Sequence, residues 1–281
     1  MRTIKDLKEM RAFSERAKNH GKKIGFVPTM GSLHEGHLSL VAAAKRKSDI
    51  VVVSIFVNPM QFGPNEDFKH YPRHLRHDIN LLKNFEIDAL FLPEANKLYP
   101  DKFAAAVEVG ELSKKMCGKS RPAHFRGVTT VLTKLFNIVV PDLAFFGEKD
   151  YQQLIIVRRL VQDLNLPIEI ISQPTVRDFD GLALSSRNKL LNVKERRSAT
   201  ILHKALSMAK TEIETGERDV NKILFRMRSL IGSEPTVRLD YIVIAHPETL
   251  EDVKAIKGKL LIALAAYVGT TRLIDNLMVD A

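Results

Sequence analysis

The sequence predicts an α/β protein: a Rossmann-like, doubly wound parallel sheet followed by a second, smaller α+β domain. Three observations predict it. Through the first two thirds of the chain, short apolar runs alternate with stretches of helical periodicity, the pattern of a parallel sheet covered by helices. The run Ile50-Val51-Val52-Val53-Ser54-Ile55-Phe56-Val57 is almost wholly apolar, as suits a parallel strand buried on both faces. Polar, turn-forming segments begin where the apolar runs stop, at 28–37, 58–63 and 147–150, which is where open α/β sheets bind ligands.

The elements follow in order. Residues 1–10 mix charges at helical spacing and lack the apolar core of a secretion signal, so the cytoplasm is the expected compartment. A first strand, 23–27, leads into a Pro-Thr-Met-Gly turn and a helix over 36–46. Strand 50–57 is followed by helix 74–84, strand 89–92, helix 127–140, strand 143–146, helix 151–164 and strand 168–172. Pro174 ends that last strand, so the expected domains are 1–175 and 176–281. Beyond the joint the texture changes: 192–215 and 220–231 read as amphipathic helices, and 237–244, 260–268 and 271–276 as strands that no longer alternate with them.

Composition bounds the function. The 281 residues suffice to bury a full core, and no apolar stretch approaches the roughly 20 residues of a membrane span. One cysteine, Cys117, excludes an intrachain disulfide and an all-cysteine metal cluster. The net charge of +10 suits polyanions, whether nucleic acid, an anionic surface or a substrate with several phosphates. The aromatic-interleaved basic motif of an RNA-binding sheet is absent. So are the P-loop signature, the G-x-G-x-x-G turn after the first strand, the G-x-S-x-G elbow and the H-E-x-x-H zinc pair.

Four segments carry chemistry. In Pro28-Thr29-Met30-Gly31-Ser32-Leu33-His34-Glu35-Gly36-His37 an apolar run ends in a glycine turn, and two histidines follow three residues apart. Histidines at i and i+3 share a helical face. At a helix N-terminus that face also carries free backbone N–H groups and the positive end of the dipole, which suits phosphate. The second segment, Val57-Asn58-Pro59-Met60-Gln61-Phe62-Gly63, offers amides to a substrate with hydroxyl and carboxylate groups, although Asn-Pro is also ordinary turn chemistry. In the third, Phe145-Phe146-Gly147-Glu148-Lys149-Asp150-Tyr151-Gln152-Gln153, glycine admits a close ligand and Lys149 offers an ammonium for phosphate. Asp150 there can accept from ribose hydroxyls or cap the next helix. The fourth, Arg177-Asp178-Phe179-Asp180-Gly181-Leu182-Ala183-Leu184-Ser185-Ser186-Arg187-Asn188, presents two hydroxyls and a guanidinium. That pattern fits a pyrophosphate, or a serine helix cap beside a surface Arg.

A histidine turn after the first strand and a late Ser-Ser-Arg loop resemble the nucleotidyltransferase superfamily with an HxGH motif. Within it, Pro28-Thr29-Met30-Gly31, His34-Glu35-Gly36-His37, Asn58-Pro59-Met60-Gln61-Phe62, His124-Phe125-Arg126-Gly127-Val128, Phe146-Gly147-Glu148-Lys149-Asp150 and Ser185-Ser186-Arg187-Asn188 are similar, in that order, to the pantoate–β-alanine ligases. The likeness runs from near the N-terminus to about Asn192, and the C-terminal third agrees only in length and general character. Leu184 stands where methionine is expected and Ser32 where alanine is more usual. The first keeps an apolar contact for a purine, and the second is small.

The resemblance implies an ATP-dependent condensation of D-pantoate with β-alanine through an enzyme-bound pantoyl adenylate, giving pantothenate, AMP and pyrophosphate. It implies catalytic roles for His34, His37, Lys149, Ser185, Ser186 and Arg187. The histidines and Lys149 would neutralise charge as a carboxylate approaches the α-phosphate. Ser185, Ser186 and Arg187 would hold the β- and γ-phosphates, with Mg²⁺ bridging them. ATP contacts would come from Pro28, Thr29, Met30, Gly31, His37, Gly147, Glu148, Lys149, Asp150, Val176, Leu184 and the Ser-Ser-Arg triplet. Pantoate contacts would come from Met30, Asn58, Gln61 and Gln153. ATP enters as a substrate with Mg²⁺, no organic prosthetic group is implied, and no side chain is assigned as a metal ligand. The implied partners are these small molecules and a second copy in a homodimer, with neither nucleic acid nor membrane. Residues 1–175 would then bind nucleotide and pantoate, and 176–281 would form a lid over the hydrolysable acyl adenylate. A nucleotidylyltransferase of the same superfamily would use the same histidine turn but needs a basic acceptor pocket, and here the second strand leads into neutral amides. Nucleic-acid binding would instead show as steep salt dependence.

Overall fold

Capping chemistry sets where the helices begin. The Asp6 carboxylate accepts from the N–H groups of Lys8 (2.9 Å) and Glu9 (3.0 Å), and His34, Asn192 and Asp219 cap later helices in the same way. The computed structural model describes residues 1–64 and 66–281. Its elements are β1 (Arg2–Ile4), α1 (Leu7–Asn19), β2 (Ile24–Thr29), α2 (Glu35–Lys47), β3 (Ile50–Ile55), α3 (Leu75–Lys83), β4 (Ala89–Phe91), α4 (Ala95–Leu98), α5 (Cys117–Ser120), α6 (His124–Val139), β5 (Leu143–Gly147), α7 (Tyr151–Asp163), β6 (Glu169–Gln173), α8 (Val193–Ser198), α9 (Ile201–Glu214), α10 (Val220–Gly232), β7 (Val237–Ala245), β8 (Lys259–Val268) and β9 (Thr271–Asp280).

Contacts group the chain into two units. The first comprises Met1–Ser113, Arg121–Glu148 and Gln153–Pro174. Its six strands lie in the order β1-β4-β3-β2-β5-β6, all parallel. After edge strand β1, the chain enters the centre of the sheet at β2, builds outward through β3 and β4, then returns to the other side for β5 and β6. The strand order therefore reverses between β2 and β5. That reversal is the topological switch point where open sheets form a crevice.

The ladder between β2 and β5 pairs Gly25 with Leu143 and Phe26 with Ala144, and then stops, while both strands run on. Pro28 lies just past that point. The Thr29 carbonyl accepts from Phe56 N–H on the β3 side (3.0 Å), so alternation turns the Pro28 nitrogen toward β5, where the ladder has ended. A proline in a central strand thus removes no ladder bond.

Two close approaches fasten this carboxyl-end region. The apolar run of β3 and the inner face of α2 share a core with Val27, Leu33, Leu82, Leu90 and Phe145. On the other side α6 crosses the 3-10 turn Pro59–Gln61. A Cβ on Gly127 of α6 would sit 2.2 Å from the Met60 carbonyl oxygen, so only glycine allows that contact.

The second unit comprises Lys114–Ser120, Lys149–Gln152 and Thr175–Ala281. The sequence placed a single boundary after 175, whereas two earlier segments group with the C-terminal one. Gln152 ties them together, accepting from Cys117 N–H (3.0 Å) and donating to the Lys115 carbonyl (2.7 Å). An antiparallel sheet, β7-β8-β9, packs with α9 and α10 on a core of Leu202, Leu206, Ile223, Met227, Ile262 and Leu264. Cys117 is buried, with Sγ 3.3 Å from the Tyr241 hydroxyl and 3.6 Å from Arg272 Nη2. Burial holds the Tyr241 phenol well above its ordinary pKa.

Several elements differ from the sequence reading. β1 was not expected; it is a three-residue edge strand with one buried side chain, Ile4, too short for periodicity to show. Helix α6 starts at His124, ahead of the expected 127. The single helix expected over 192–215 is two, because bonds from Thr200 N–H to Arg197 O and from Leu202 N–H to Ala199 O tighten the chain into an i→i−3 turn. Strand β9 continues to Asp280, held by its register with β8 from Lys259 to Val268.

Replacing Gly127 by alanine is expected to destabilise the first unit by about 1–3 kcal/mol, the usual cost of overpacking, read as a lower denaturation midpoint with unchanged m-value.

Candidate active site

The histidine turn is built by its backbone. After β2, Gly31 (φ 81°) and Ser32 (φ 50°) both adopt left-handed conformations. Only glycine takes this freely, so Ser32 is strained and something must hold it. Asp78 of α3 does so. Its carboxylate accepts from Ser32 N–H (2.9 Å) and Leu33 N–H (2.8 Å), and Asp78 is 1% exposed. Thr29 completes the turn, donating to the Ser54 carbonyl (2.8 Å) and accepting from Gly31 N–H (3.1 Å).

The chain emerges from this turn with His34 as the N-cap of α2. Its Nδ1 accepts from Gly36 N–H (3.2 Å), which requires that nitrogen to be unprotonated and leaves the neutral ring's proton on Nε2. The His37 ring lies beside it, centroids 4.2 Å apart. Two imidazoles therefore sit together at the amino end of a helix, at the carboxyl end of the strand next to the switch point.

Beside them β3 ends in the Asn58–Gln61 turn. Asn58 is 1% exposed and its amide is directed inward. It donates to Gln61 Oε1 (3.1 Å) and the Gly127 carbonyl (3.0 Å), and its oxygen accepts from Tyr99 O–H (2.9 Å) and Met60 N–H (3.2 Å). Gln61 donates to Met30 Sδ (2.9 Å), joining this turn to the histidine turn. Its carbonyl lies 2.9 Å from His124 Nδ1 and accepts from Arg121 (3.3 Å). Arg121 is also paired with Glu66. Burial pushes the Glu66 carboxyl up, but hydrogen bonds and charge from Arg121, with His124, outweigh it and hold the carboxyl below its ordinary range.

The structure thus brings Pro28, Thr29, Met30, Gly31, His34, His37, Asn58 and Gln61 together. Gly147 and Glu148 end β5 on the far side of the crevice. Apart from its chain neighbours, no described residue comes within 4 Å of where a Gly147 Cβ would be. Glu148 accepts from Ser172 O–H (3.0 Å), and Gln153 is half-buried near the start of α7.

The second unit holds the remaining candidates. Lys149 and Asp150 belong to a 3-10 turn that runs directly into α7. Asp150 therefore sits within helical geometry and not in the extended conformation of a cap, and its carboxylate lies 3.7 Å from Lys149 Nζ. Val176 and Leu184 face each other across a short hairpin, with Leu184 N–H donating to the Val176 carbonyl (3.0 Å). The chain then enters the 3-10 turn Ser186–Leu190, capped by Ser185 Oγ on Arg187 N–H (3.3 Å). Ser185 is thus a helix cap as well as a candidate ligand. The hairpin is fastened by Arg177, which donates through both Nη atoms to Asp275 (2.7 and 2.8 Å).

Sequence reasoning missed Asp78, Tyr99 and the Arg177–Asp275 pair as site-shaping groups. Asp78 had a signal: it lies i+3 from Leu75 and i−4 from Leu82, an acid on the apolar face of its helix. Among the described residues no three His, Cys, Asp or Glu side chains gather into a metal-sized cluster.

A parallel sheet that delivers a histidine pair and an amide turn to its switch point defines an α/β enzyme for an anionic, nucleotide-type substrate. Comparison with known proteins narrows the class. The family model for pantoate-beta-alanine ligase matches residues 2–278. The pantothenate synthetase of Fervidobacterium nodosum is 54% identical over 280 residues, covering 100% of both chains. That of Carboxydothermus hydrogenoformans is 53% identical over 281 residues, 100% of this chain and 99% of its own. The crystal structure of pantothenate synthetase from Thermus thermophilus superposes with a TM-score of 0.94 at 45% identity over 99% of both chains. The pantoate-beta-alanine ligase of Francisella tularensis, crystallised with beta-gamma ATP and β-alanine, superposes with a TM-score of 0.82 at 36% identity over 99% of this chain and 97% of its own. The chain belongs to the pantoate–β-alanine ligase family and is a ligase. No helix among the described residues is long and apolar enough to cross a membrane.

His203 gives the second unit a pH dependence. It packs under the hairpin so closely that a Cβ on Gly181 would lie 2.1 Å from its Cδ2. Burial, and then the charge of Arg177, push its imidazole below the ordinary 6.5, with Asp275 opposing. The folded chain then takes up this proton at lower pH than the unfolded chain. Its contribution is complete above 6.5 and lost as the pH falls. In His203→Gln the decline of denaturation midpoint below pH 6.5 is expected to be shallower than in the parent.

Proposed function

We propose that the chain performs its family's reaction, the ATP-dependent joining of pantoate to β-alanine, through a pantoyl adenylate formed at the carboxyl ends of β2, β3 and β5. The observation that carries this reading is the histidine pair at the amino end of α2, where His34 caps the helix through Nδ1 and the His37 ring lies beside it, centroids 4.2 Å apart. ATP is taken as its Mg²⁺ complex, the phosphate oxygens supplying ligands to the ion.

A pantoate carboxylate oxygen attacks the α-phosphorus, and the bond from that phosphorus to the bridging oxygen breaks as pyrophosphate leaves. The β-alanine amine then attacks the acyl carbon. AMP departs, the nitrogen loses a proton and the amide remains. In the first step a carboxylate meets a negatively charged phosphate, so catalysis is charge neutralisation and positioning. His34, His37 and Lys149 supply positive or donor groups to the α-phosphate, and Ser185, Ser186 and Arg187 to the departing pyrophosphate. Gly147, Glu148, Asp150, Val176 and Leu184 border the nucleoside, with Pro28, Thr29, Met30 and Gly31. Gln61 and Gln153 hold pantoate. Asn58, whose amide is directed inward, supports Gln61 as well. Neutral amides suit a polyol carboxylate. The reaction belongs to the cytoplasm, where ATP is available.

A well-aimed donor to a transition state is worth about 10²–10³ in rate. Lys149→Ala and His37→Ala are each expected to slow pantoate-dependent ATP–pyrophosphate exchange by at least that factor in folded protein; near-normal exchange would sink the role. Exchange supported by another acid and not by pantoate would discard the substrate and keep the chemistry. A homodimer is part of the same reading, and light scattering on the purified chain should return twice the monomer mass.

A further inference from the structure

We propose that Asp275 and Asn276 of β9 are positioning residues for adenylation, holding Lys149 and the Ser-Ser-Arg loop in fixed relation. The inference rests on the roles proposed above for Lys149 and Ser185–Arg187, which are far apart in sequence. Asp275, 3% exposed, receives the forked guanidinium of Arg177, at 2.7 and 2.8 Å. Arg177 also donates to the Gly181 carbonyl (3.0 Å) and the Asn276 carbonyl (3.2 Å), so the hairpin leading to Ser185 is fastened to β9 through Arg177. The next residue serves the other segment. Asn276, 7% exposed, donates from Nδ2 to the main-chain carbonyl of Lys149 (2.9 Å), while its N–H donates to Asp275 Oδ1 (2.8 Å).

Successive side chains on a strand point to opposite faces. An adjacent pair is therefore what one strand needs to grip two segments that approach it from different sides. The Arg–carboxylate fork is rigid and directional, and Asp275 is too buried for water to replace it. The ammonium of Lys149 and the phosphate-binding hydroxyls consequently share one fixed reference, a dipeptide in the last strand that touches no reacting atom. A displacement of about 1 Å at such a distance from the chemistry costs up to roughly 10²-fold in rate.

The test separates positioning from simple stability. Asn276→Leu keeps the volume and removes the donor to Lys149. Arg177→Lys keeps the charge and removes the fork. ATP–pyrophosphate exchange is followed against pantoate concentration for both, on protein shown to be folded at the assay temperature. In each, kcat for exchange should fall by roughly ten- to a hundredfold, with KM for pantoate within about twofold of the parent. If Asn276→Leu does not fold, Arg177→Lys alone decides. A parent-like kcat in folded protein overturns the proposal, whatever the change in melting temperature. Lys149→Ala is run beside them. If it slows exchange by about 10²-fold or more while the positioning variants keep a parent-like kcat, this inference alone fails. If it leaves exchange intact, the reading beneath it fails.

Discussion

The shape of the histidine turn depends on one buried carboxylate. Asp78 accepts two successive backbone N–H groups from Ser32 and Leu33, and those donors converge only because Gly31 and Ser32 are both left-handed. The second of these conformations costs a non-glycine residue energy, and the carboxylate offsets it. Were Ser32 to relax, the chain would enter α2 in a different direction and His34 could no longer cap it. The placement of the histidines therefore depends on a side chain from another helix, α3. Packing enforces this too, because α3 carries Leu82 in the same core as Leu33, Val27 and Phe145.

Neighbouring parts of the first unit are tuned to the same end. The early stop of the β2–β5 ladder opens the crevice, and Pro28 occupies the position where no ladder bond is wanted. Gly127 lets α6 press on the Asn58–Gln61 turn, and Asn58 spends its hydrogen bonds on Gly127, Gln61, Tyr99 and Met60. A buried amide with its groups satisfied rigidifies what it touches. Gln61 inherits that rigidity and passes it to Met30 through its bond to the thioether. The turns after β2 and β3 therefore behave as one body.

The second unit solves a comparable problem with charge. Arg177 and Arg196 each bind carboxylates within or below the hairpin, Arg177 at Asp275 and Arg196 at Asp178 and Asp180. The first pair is buried and forked, so breaking it would leave a charge without compensation. The pairs of Arg196 are more exposed, and water screens them. Much of the chain's excess of basic residues is solvated surface. The few guanidiniums that matter to the site are recognised by their burial and their partners, not by net charge.

The sequence by itself determined the layers and the places where chemistry begins. An apolar run such as 50–57 can satisfy its side chains only between two layers, and glycine turns with histidines or amides mark strand ends, because these are local properties of type and spacing. The turns that carry the histidine pair, Gln61 and Lys149 were legible as strand ends for that reason. What tertiary structure decided is long-range: that Asp78 reaches back across the chain to Ser32, that β1 joins the edge of the sheet, that segments 114–120 and 149–152 group with the C-terminal unit, and that Asp275 and Asn276 hold Arg177 and Lys149. No periodicity encodes these pairings. Each joins residues distant in sequence through a hydrogen bond or charge whose strength depends on burial, and burial exists only once the chain has packed.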